Sequence, residues 1–307
     1  MSDNKKIIGV IIARQGSSRL PEKALKLVVG KPIIGHLVDR IKASKYITDV
    51  VIATSTKKED DAIEEYGKTI NTKVYRGHPE DILDRMYHAV AEEKPLAIVE
   101  VGGDCPLVAQ ELINYGIELF LSNPNADVVT NALVPPFTYP VGYDFILVKF
   151  AALEKTHKQA KLTSERYQPF QYMVKNDKEY IFKNFVLEQS YNHWRWTLDY
   201  PEDYDFVKAI YEELYAKNPL FGWNEINKLL NEKPQIININ KMHVEPVSQY
   251  TAWSTGSYVE EVQSDIRIML DKAKDLDKQR KYAESKEQYN HIHKLIADLI
   301  ARADSKQ

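Results

Sequence analysis

The feature that most constrains the fold is a regular alternation of short apolar runs with amphipathic stretches along the first hundred residues. Residues 7–13 form a nearly continuous branched apolar run, which is typical of a strand covered on both faces. Residues 32–43 follow with apolar side chains at helical spacing, and the same alternation then repeats. This repetition predicts an α/β fold in which helices flank a mostly parallel sheet.

The alternation continues in a less regular form after residue 126, where residues 134–143 form a proline-rich loop. The predicted strands are residues 7–13, 49–54, 73–76, 96–101, 127–131 and 144–148, and residues 194–198 also read as a β-like run. The predicted helices are residues 32–43, 59–69, 81–93, 163–175 and 202–215.

The last part of the chain has a different pattern. After Gly256 the sequence contains neither glycine nor proline, and apolar residues recur every three or four positions between residues 259 and 303. This spacing predicts two amphipathic helices. We therefore expect a domain over residues 1–245 and a helical C-terminal extension over residues 246–307. The apolar stripes of the extension either pack on the domain or mediate oligomerisation.

Composition excludes several function classes. The chain has 307 residues and a formal net charge of −3, which gives no electrostatic reason to expect a nucleic-acid or membrane partner. Its apolar runs fall short of the roughly 20 residues needed to cross a bilayer. Cys105 is the single cysteine, so an internal disulfide is impossible. We expect a cytoplasmic protein.

A basic loop follows the first predicted strand, at a position where α/β sheets bind ligands. Its glycine allows a tight turn, and consecutive backbone N–H groups in such a loop can hold an anion. Three cations in one loop repel each other unless an anion lies among them, and a nucleoside triphosphate would supply that charge. The alternative is an ordinary solvated basic loop. The candidate phosphate-binding residues are Arg14, Gly16, Ser17, Ser18, Arg19 and Lys23.

Two carboxylates are candidate metal ligands. Asp104 lies just past the predicted strand 96–101, and Asp199 ends the β-like run 194–198. Mg²⁺ typically takes one or two protein carboxylates and completes its shell with phosphates and water. The alternatives are a turn residue for Asp104 and a helix N-cap for Asp199, which is a very common role for aspartate. Asp203, in the first helical turn, is expected to interact with the helix dipole instead.

The run from Ile12 to Leu25 resembles the signature loop of the CMP-sugar synthetases, and most resembles the spore-coat polysaccharide biosynthesis protein F type, which is related to CMP-Kdo synthetase. Further matching motifs occur in the family's order, so the resemblance covers roughly residues 7 to 215. They are residues 53–55, 76–77 with 81–85, 103–107, 138–140 and 195–199 with 201–203. The resemblance implies a Rossmann-like (GT-A-like) nucleotidyltransferase fold, Mg²⁺ dependence and a homodimer.

The resemblance also implies roles for individual residues. It makes Asp104 and Asp199 the Mg²⁺ ligands. Arg14 and Lys23 would neutralise the β- and γ-phosphates and the charge that develops on pyrophosphate, so these four residues form the expected catalytic set. The expected nucleotide-binding residues are Ala13, Arg14, Gly16, Ser17, Ser18, Arg19, Lys23, Ser55, Arg85 and Asp104. The match around Arg85 to the family's base and ribose elements is a loose one.

The acceptor pocket is expected between residues 134 and 170, with Arg195 beside it. Its candidate residues are Tyr139, Tyr143, Asp144, Arg166 and Arg195. Two departures from the family pattern stand out: Val141 replaces a carboxylate, and Arg166 replaces a histidine. Together they suggest an acceptor more anionic than usual. The alternatives are neutral drift, or an ion pair between Arg166 and Glu165 or Glu188.

The resulting expectation is a cytidylyltransferase that transfers CMP from CTP to an acidic sugar of the 3-deoxy-ulosonic or nonulosonic acid type and releases pyrophosphate. Its product would serve surface polysaccharide or glycoconjugate synthesis. An alternative is the same transfer to a phosphate- or phosphonate-bearing acceptor. A glycosyltransferase is less consistent with the sequence, because no Asp-x-Asp motif follows residues 96–101. A non-catalytic scaffold would not need the four residues of the catalytic set.

Overall fold

The computed structural model describes residues 5–17 and 19–244, and in the tail residues 274, 278, 279, 281, 283–290 and 292. The strands are β1 Ile7–Ile12, β2 Leu27–Val28, β3 Lys31–Pro32, β4 Asp49–Ser55, β5 Lys73–Gly77, β6 Ala97–Gly102, β7 Val128–Thr130, β8 Ile146–Lys149 and β9 Phe182–Asn184. The helices are α1 Ile33–Lys42, α2 Asp61–Thr69, α3 Ile82–Val90, α4 Gln110–Ser122, α5 Phe150–Gln159, α6 Thr163–Tyr167, α7 Gln171–Lys175, α8 Pro201–Leu214 and α9 Trp223–Glu232.

Seven of these strands form one mostly parallel sheet in the order β5-β4-β1-β6-β8-β7-β9. The pairs β5-β4, β4-β1, β1-β6 and β7-β9 are parallel, whereas β8 runs antiparallel to both β6 and β7. The predicted α/β fold class is therefore confirmed. The reversed direction of β8 was not predictable from periodicity, because an apolar run has the same pattern in either direction.

Alternate residues of the central strands bury against two different layers, because side chains along a strand point to opposite faces. Ile7 and Ile11 belong to the layer with α1, α4, α8 and α9. Ile8 and Val10 belong to the layer with α3 and α5. Coverage on both faces explains why these strands read as continuous apolar runs.

Two predicted elements differ from the structure. The predicted helix 163–175 is divided into α6 and α7, and Pro169 lies between them, where its missing N–H interrupts helical hydrogen bonding. The β-like run 194–198 is not a strand. It forms a single bridge between Val141 and Arg195, and this bridge joins it to the proline-rich loop of residues 134–143.

The tail is described at few positions. Residues 283–290 are helical, and Ser285 and Ile292 are buried. The remainder of the two helices predicted between residues 259 and 303 lies outside the described residues, so the boundary at residue 245 stays a prediction. No helix in the described ranges is long and apolar enough to cross a membrane.

Candidate active site

A cleft opens at the carboxyl ends of β1 and β6, the edge at which parallel α/β sheets bind ligands. It consists of two adjoining cavities, one of about 570 Å³ and one of about 460 Å³. Both cavities are lined by Ile12, Arg19, Ile82, Asp104, Tyr167 and Asp199. The two predicted metal ligands therefore lie where the cavities meet.

Gly103 allows the loops after β1 and β6 to pack directly against each other. Its N–H donates to the carbonyl of Ile12 at 2.8 Å. A Cβ at this position would lie 2.9 Å from both the Ile12 carbonyl oxygen and the Ala13 Cβ, which is closer than a side chain can approach. The absence of a side chain thus brings Asp104 beside the basic loop.

Asp60 holds the backbone of the basic loop by a hydrogen bond. It is fully buried, and one carboxylate oxygen accepts the backbone N–H of Gln15 at 2.6 Å. The Ser55 hydroxyl donates to its other oxygen. Ser55 was expected to bind the nucleotide, but it is buried, and neither cavity of the cleft is lined by it. Sequence reasoning missed Asp60, since an aspartate at the start of a helix is a common pattern.

The smaller cavity gathers the cations predicted to bind phosphates. Its lining includes Ala13, Arg14, Gly16, Ser17, Arg19, Lys23 and Arg85, whereas Ser18 lies outside the described residues. Arg14 donates to the Tyr167 hydroxyl at 2.9 Å. Arg85 is buried, and burial together with nearby Arg14 lowers the pKa of its guanidinium. This unfavourable concentration of positive charge would be relieved by a polyanion.

Lys23 connects the two predicted metal ligands. Its ammonium donates to Asp104 at 3.3 Å, to Asp199 at 2.9 Å and to the Leu198 carbonyl at 2.9 Å. Burial alone would lower the pKa of Lys23, but the two carboxylates outweigh it and raise that pKa. Burial likewise would raise the pKa of Asp199, and Lys23, Arg19 and Arg195 lower it. Two ionised carboxylates around one cation fit the donor set of a divalent metal.

Asp203 positions Asp199. Its buried carboxylate accepts the N–H groups of Asp199 at 2.9 Å and of Tyr200 at 3.0 Å, and Arg195 donates to both of its oxygens at 2.9 Å. Asp203 therefore satisfies the backbone at the start of α8. The N-cap alternative for Asp199 was wrong, and its side chain faces Lys23 instead.

Besides Asp104 and Asp199, the larger cavity is lined by two carboxyl groups, those of Glu100 on β6 and of Asp144. Burial, followed by the nearby carboxylates, raises the pKa of Glu100 to about 8 and that of Asp144 to about 7. Buried Asn131 holds the backbone around Asp144, because it donates to the Tyr143 carbonyl at 3.0 Å and accepts the Phe145 N–H at 2.7 Å. Glu100 could have been noticed in the sequence as the one charge inside the run 96–101.

The other expected acceptor residues have different places. Tyr139 lines a small neighbouring cavity together with Asp144. Tyr143 was expected to contact the acceptor, but it is 1% exposed and packs edge-on against Trp196 behind the cleft. Arg195 lines the larger cavity, yet its guanidinium is held by Asp199 and Asp203.

Arg166 is not brought to the cleft, contrary to expectation. It lies on α6, where its guanidinium pairs with Asp81 at 2.5 Å and with Asp84 at 3.7 Å on the α3 side. These partners also replace Glu165 and Glu188, which were the alternatives from sequence. Arg166 therefore does not support the expectation of an unusually anionic acceptor.

Comparison with known proteins supplies an independent line of evidence. The family model described as cytidylyltransferase matches residues 8–291 of this chain. An uncharacterized protein of Methanocaldococcus jannaschii is 35% identical over 241 residues, which cover 76% of this chain and 94% of that protein. The spore coat polysaccharide biosynthesis protein SpsF of Bacillus subtilis is 29% identical over 235 residues, which cover 74% and 95% of the two chains.

A further relative matches this chain over a shorter stretch. The 3-deoxy-manno-octulosonate cytidylyltransferase of Pelobacter propionicus is 33% identical over 124 residues, which cover 40% of this chain and 48% of that protein. Among solved structures, a cytidylyltransferase from Leptospira borgpetersenii superposes with a TM-score of 0.71 at 29% identity and covers 76% of this chain and 96% of that one.

Proposed function

This chain belongs to the cytidylyltransferase family and is thus a CTP-dependent nucleotidyltransferase, and we propose that it transfers CMP from CTP to an acidic, sugar-like acceptor and releases pyrophosphate. The observation that carries the proposal is the position of Asp104 and Asp199 at the junction of a cation-rich and a carboxylate-bearing cavity. CTP would occupy the first cavity and the acceptor the second, so that the reacting atoms meet at the junction.

The residues of the smaller cavity suit a triphosphate. Arg14, Arg19, Lys23 and Arg85 would offset its negative charge, and the charge that develops on the departing pyrophosphate. In the reaction an acceptor oxygen attacks the α-phosphorus, a new P–O bond forms, and the bond to pyrophosphate breaks. A cationic cavity makes pyrophosphate a better leaving group without any covalent intermediate.

Asp104 and Asp199 would hold the divalent metal used by cytidylyltransferases of this type, which we infer to be Mg²⁺. Lys23 already provides a cation between them, which supports the fit. When bound, the metal supplies Lewis-acid polarisation of phosphate oxygens. When CTP binds, its phosphates would offer the Lys23 ammonium a new partner. The ammonium group could then leave Asp104 and Asp199, and the metal would bind these two carboxylates instead.

The acceptor class is inferred from relatives and from the cleft. The names of two relatives connect them to spore-coat polysaccharide and to 3-deoxy-manno-octulosonate, which supports a sugar acid acceptor of the 3-deoxy-ulosonic or nonulosonic type. Acceptors bearing phosphate or phosphonate remain the alternative within the same chemistry. The homodimer and the cytoplasmic location expected from sequence stay predictions.

The test is a pyrophosphate-release assay with CTP and a panel of acceptors. The panel contains 3-deoxy-manno-octulosonate, a nonulosonic acid, phosphorylated alcohols, phosphonate alcohols and neutral sugars. We expect release with CTP and at least one anionic acceptor, at rates about 100-fold above those with ATP, GTP or UTP. If no pyrophosphate forms from CTP and a nucleoside diphosphate forms only when a nucleotide sugar is added as donor, the protein is a glycosyltransferase. Pyrophosphate release with neutral sugars alone would contradict an acidic acceptor.

A further inference from the structure

Two carboxyl groups in the larger cavity have no cation to pair with. Among the described residues, no Lys, Arg or His nitrogen forms a salt bridge with Glu100 or Asp144, and the hydrogen bond that the Asp144 carboxyl accepts comes from the uncharged backbone of Gly142. Both side chains line the cavity next to Asp104. Both residues are partly exposed to that cavity, so a ligand in the cavity can reach their carboxylates, and a positively charged group there would offset their charge.

The protein itself does not supply the missing cation. Arg195 lines the same cavity, but Asp199 and Asp203 already hold its guanidinium. Arg19 is at the other end, where it lies over the ring of Tyr200 and 3.7 Å from Asp199. The cavity therefore has a cationic end near Asp199 and a carboxylate end at Glu100 and Asp144.

Glu100 and Asp144 do not form a three-carboxylate cluster with the predicted metal ligand Asp104. In the described part of the chain, the carboxylate oxygens of Glu100, Asp104 and Asp144 do not all come within 4.8 Å of one another, whereas those ligand atoms of Asp84, His88 and His157 on the far side of α3 do. The raised pKa values of Glu100 and Asp144 agree with the absence of any positive partner. A positively charged group of the ligand would supply the partner that the described residues do not.

We propose that the acceptor carries an ammonium group, and that Glu100 and Asp144 bind it. This inference rests on the proposed function, because it assumes that the larger cavity is the acceptor site. An ammonium group has three hydrogen-bond donors and one positive charge, so it can satisfy both carboxylates at once. Ile82, Leu133, Ile146 and Phe170 line the same cavity and would cover the carbon skeleton next to that group.

The sequence suggested an anionic acceptor, whereas this proposal places a positive charge on the part of the acceptor that lies at Glu100 and Asp144. An acid group of the acceptor would be repelled by Glu100 and Asp144 and would instead lie towards Arg19. The acceptor would thus be a zwitterion, with its anion near Asp199 and Arg19 and its ammonium group on the β6 side. Amino sugar acids and amino-bearing phosphates have this arrangement, and the shared chemistry is the primary amine.

The test compares matched ligands by calorimetry on the full chain saturated with the α,β-methylene analogue of CTP. One set is glucosamine 6-phosphate, glucose 6-phosphate and N-acetylglucosamine 6-phosphate, and the other is ethanolamine phosphate and ethylene glycol monophosphate. We expect the amine of at least one set to bind at least 10-fold more tightly than its hydroxyl or acetylated counterpart. The proposal is overturned if no amine binds more tightly than its counterpart.

Variants then separate recognition of charge from recognition of hydrogen-bond donors. Glu100→Gln and Asp144→Asn keep the shape of the side chain and remove the charge, so each should abolish the 10-fold preference. The matched control Glu118→Gln lies on the exposed side of α4 and should leave it unchanged. If the preference survives in both Glu100→Gln and Asp144→Asn, the carboxylates do not bind an ammonium group.

Failure of this inference is distinguishable from failure of the proposed function. The calorimetric preference requires no turnover, and the pyrophosphate assay requires no amine. Turnover of acidic acceptors without any amine preference would overturn the inference alone. An amine preference without CTP-dependent pyrophosphate release would overturn the proposed function alone.

Discussion

At the scale of single residues, the cleft contains charges that reduce the stability of the unliganded fold. Glu100 is the clearest example, because its carboxyl faces a cavity next to two further carboxylates. Lys23 shows the opposite situation, since its charge is balanced by Asp104 and Asp199. Charges that a folded protein leaves unbalanced are typical of sites that await a ligand.

The unbalanced charge of Glu100 predicts a pH-dependent gain in stability for Glu100→Gln. The pKa of Glu100 rises from 4.5 to about 8, so the folded state retains a proton that the unfolded state loses above pH 4.5. The wild type therefore loses stability as the pH rises from about 5 to 8. Without ligand, Glu100→Gln should equal wild type near pH 5 and exceed it by about 5 kcal/mol, or about 10 °C in Tm, at pH 8.5.

Thermal denaturation at the two pH values measures this difference. Glu118→Gln is again the matched control, because its partner Lys45 lowers the pKa of Glu118, so its removal should bring no gain at high pH. A Glu100→Gln variant that is less stable than wild type at pH 8.5 would show that Glu100 has a stabilising partner in the folded protein.

Single residues were predictable from sequence where a residue of suitable chemistry stands directly after a predicted strand. Asp104 and Asp199 follow apolar runs and match a motif, and the structure brings both to one lysine. Asp60 and Asp203 were not recognised as anchors, because their importance depends on which backbone N–H groups reach them. Those contacts span 45 residues in the case of Asp60, and no local pattern predicts them.

At the scale of elements, the start of α8 is the part that fixes the geometry of the junction. Asp203 holds Arg195, Asp199 and Tyr200, and Asn240 donates to Asp203 at 2.9 Å. This buried network connects α8 with the segment 194–198, which has no strand partner beyond one bridge. Backbone hydrogen bonds with Val141 and Asp104, together with the side-chain bonds of Asp203, hold this segment in place.

We expect Asp203→Asn to lose both stability and activity. Removal of the charge leaves Arg195 buried at 6% exposure with a weaker set of acceptors, and breaking a buried ion pair typically costs about 3–5 kcal/mol. Urea denaturation should show a loss of about 3 kcal/mol, and pyrophosphate release should fall at least 10-fold. Asp205→Asn, two residues along the same helix and exposed, should change neither. Normal activity in Asp203→Asn would show that Asp199 needs no such anchor.

The element predictions failed where direction or interruption mattered. Periodicity located β8 but not its antiparallel direction, which depends on the connections before and after it. The division of residues 163–175 could have been predicted from Pro169. The contacts of the residues before the break could not be predicted in this way. Tyr167 contacts Arg14, whereas the neighbouring Arg166 contacts Asp81.

At the scale of the whole molecule, every residue proposed to bind the nucleotide precedes residue 200. Deletion of residues 250–307 should therefore leave CTP binding within about threefold of wild type by calorimetry. The apolar stripes of the tail need a partner surface, so the deletion should change the oligomeric state or the solubility measured by light scattering. Loss of CTP binding with an unchanged oligomeric state would make the tail part of the active site.

The fold as a whole was predictable because the strand and helix periods are strong in residues 7–102 and the motifs occur in a fixed order. The acceptor side was predicted less well. Its residues come from segments 100–104, 132–146 and 167–174, which meet only in the folded chain. Sequence reasoning therefore chose Arg166, a residue adjacent to the cavity lining, and overlooked Glu100.

The central claim is that Asp104 and Asp199 form the metal-dependent centre of CMP transfer, and the most direct measurement is the rate of Mg²⁺-dependent pyrophosphate release from CTP in Asp104→Asn and Asp199→Asn. Each substitution removes one of the two carboxylates that hold a cation at the junction of the cavities. We predict that each lowers the rate at least 100-fold while a cooperative thermal transition shows that the fold survives, and that the Asp205→Asn control keeps the wild-type rate. Near-full Mg²⁺-dependent release in either variant would contradict the assignment.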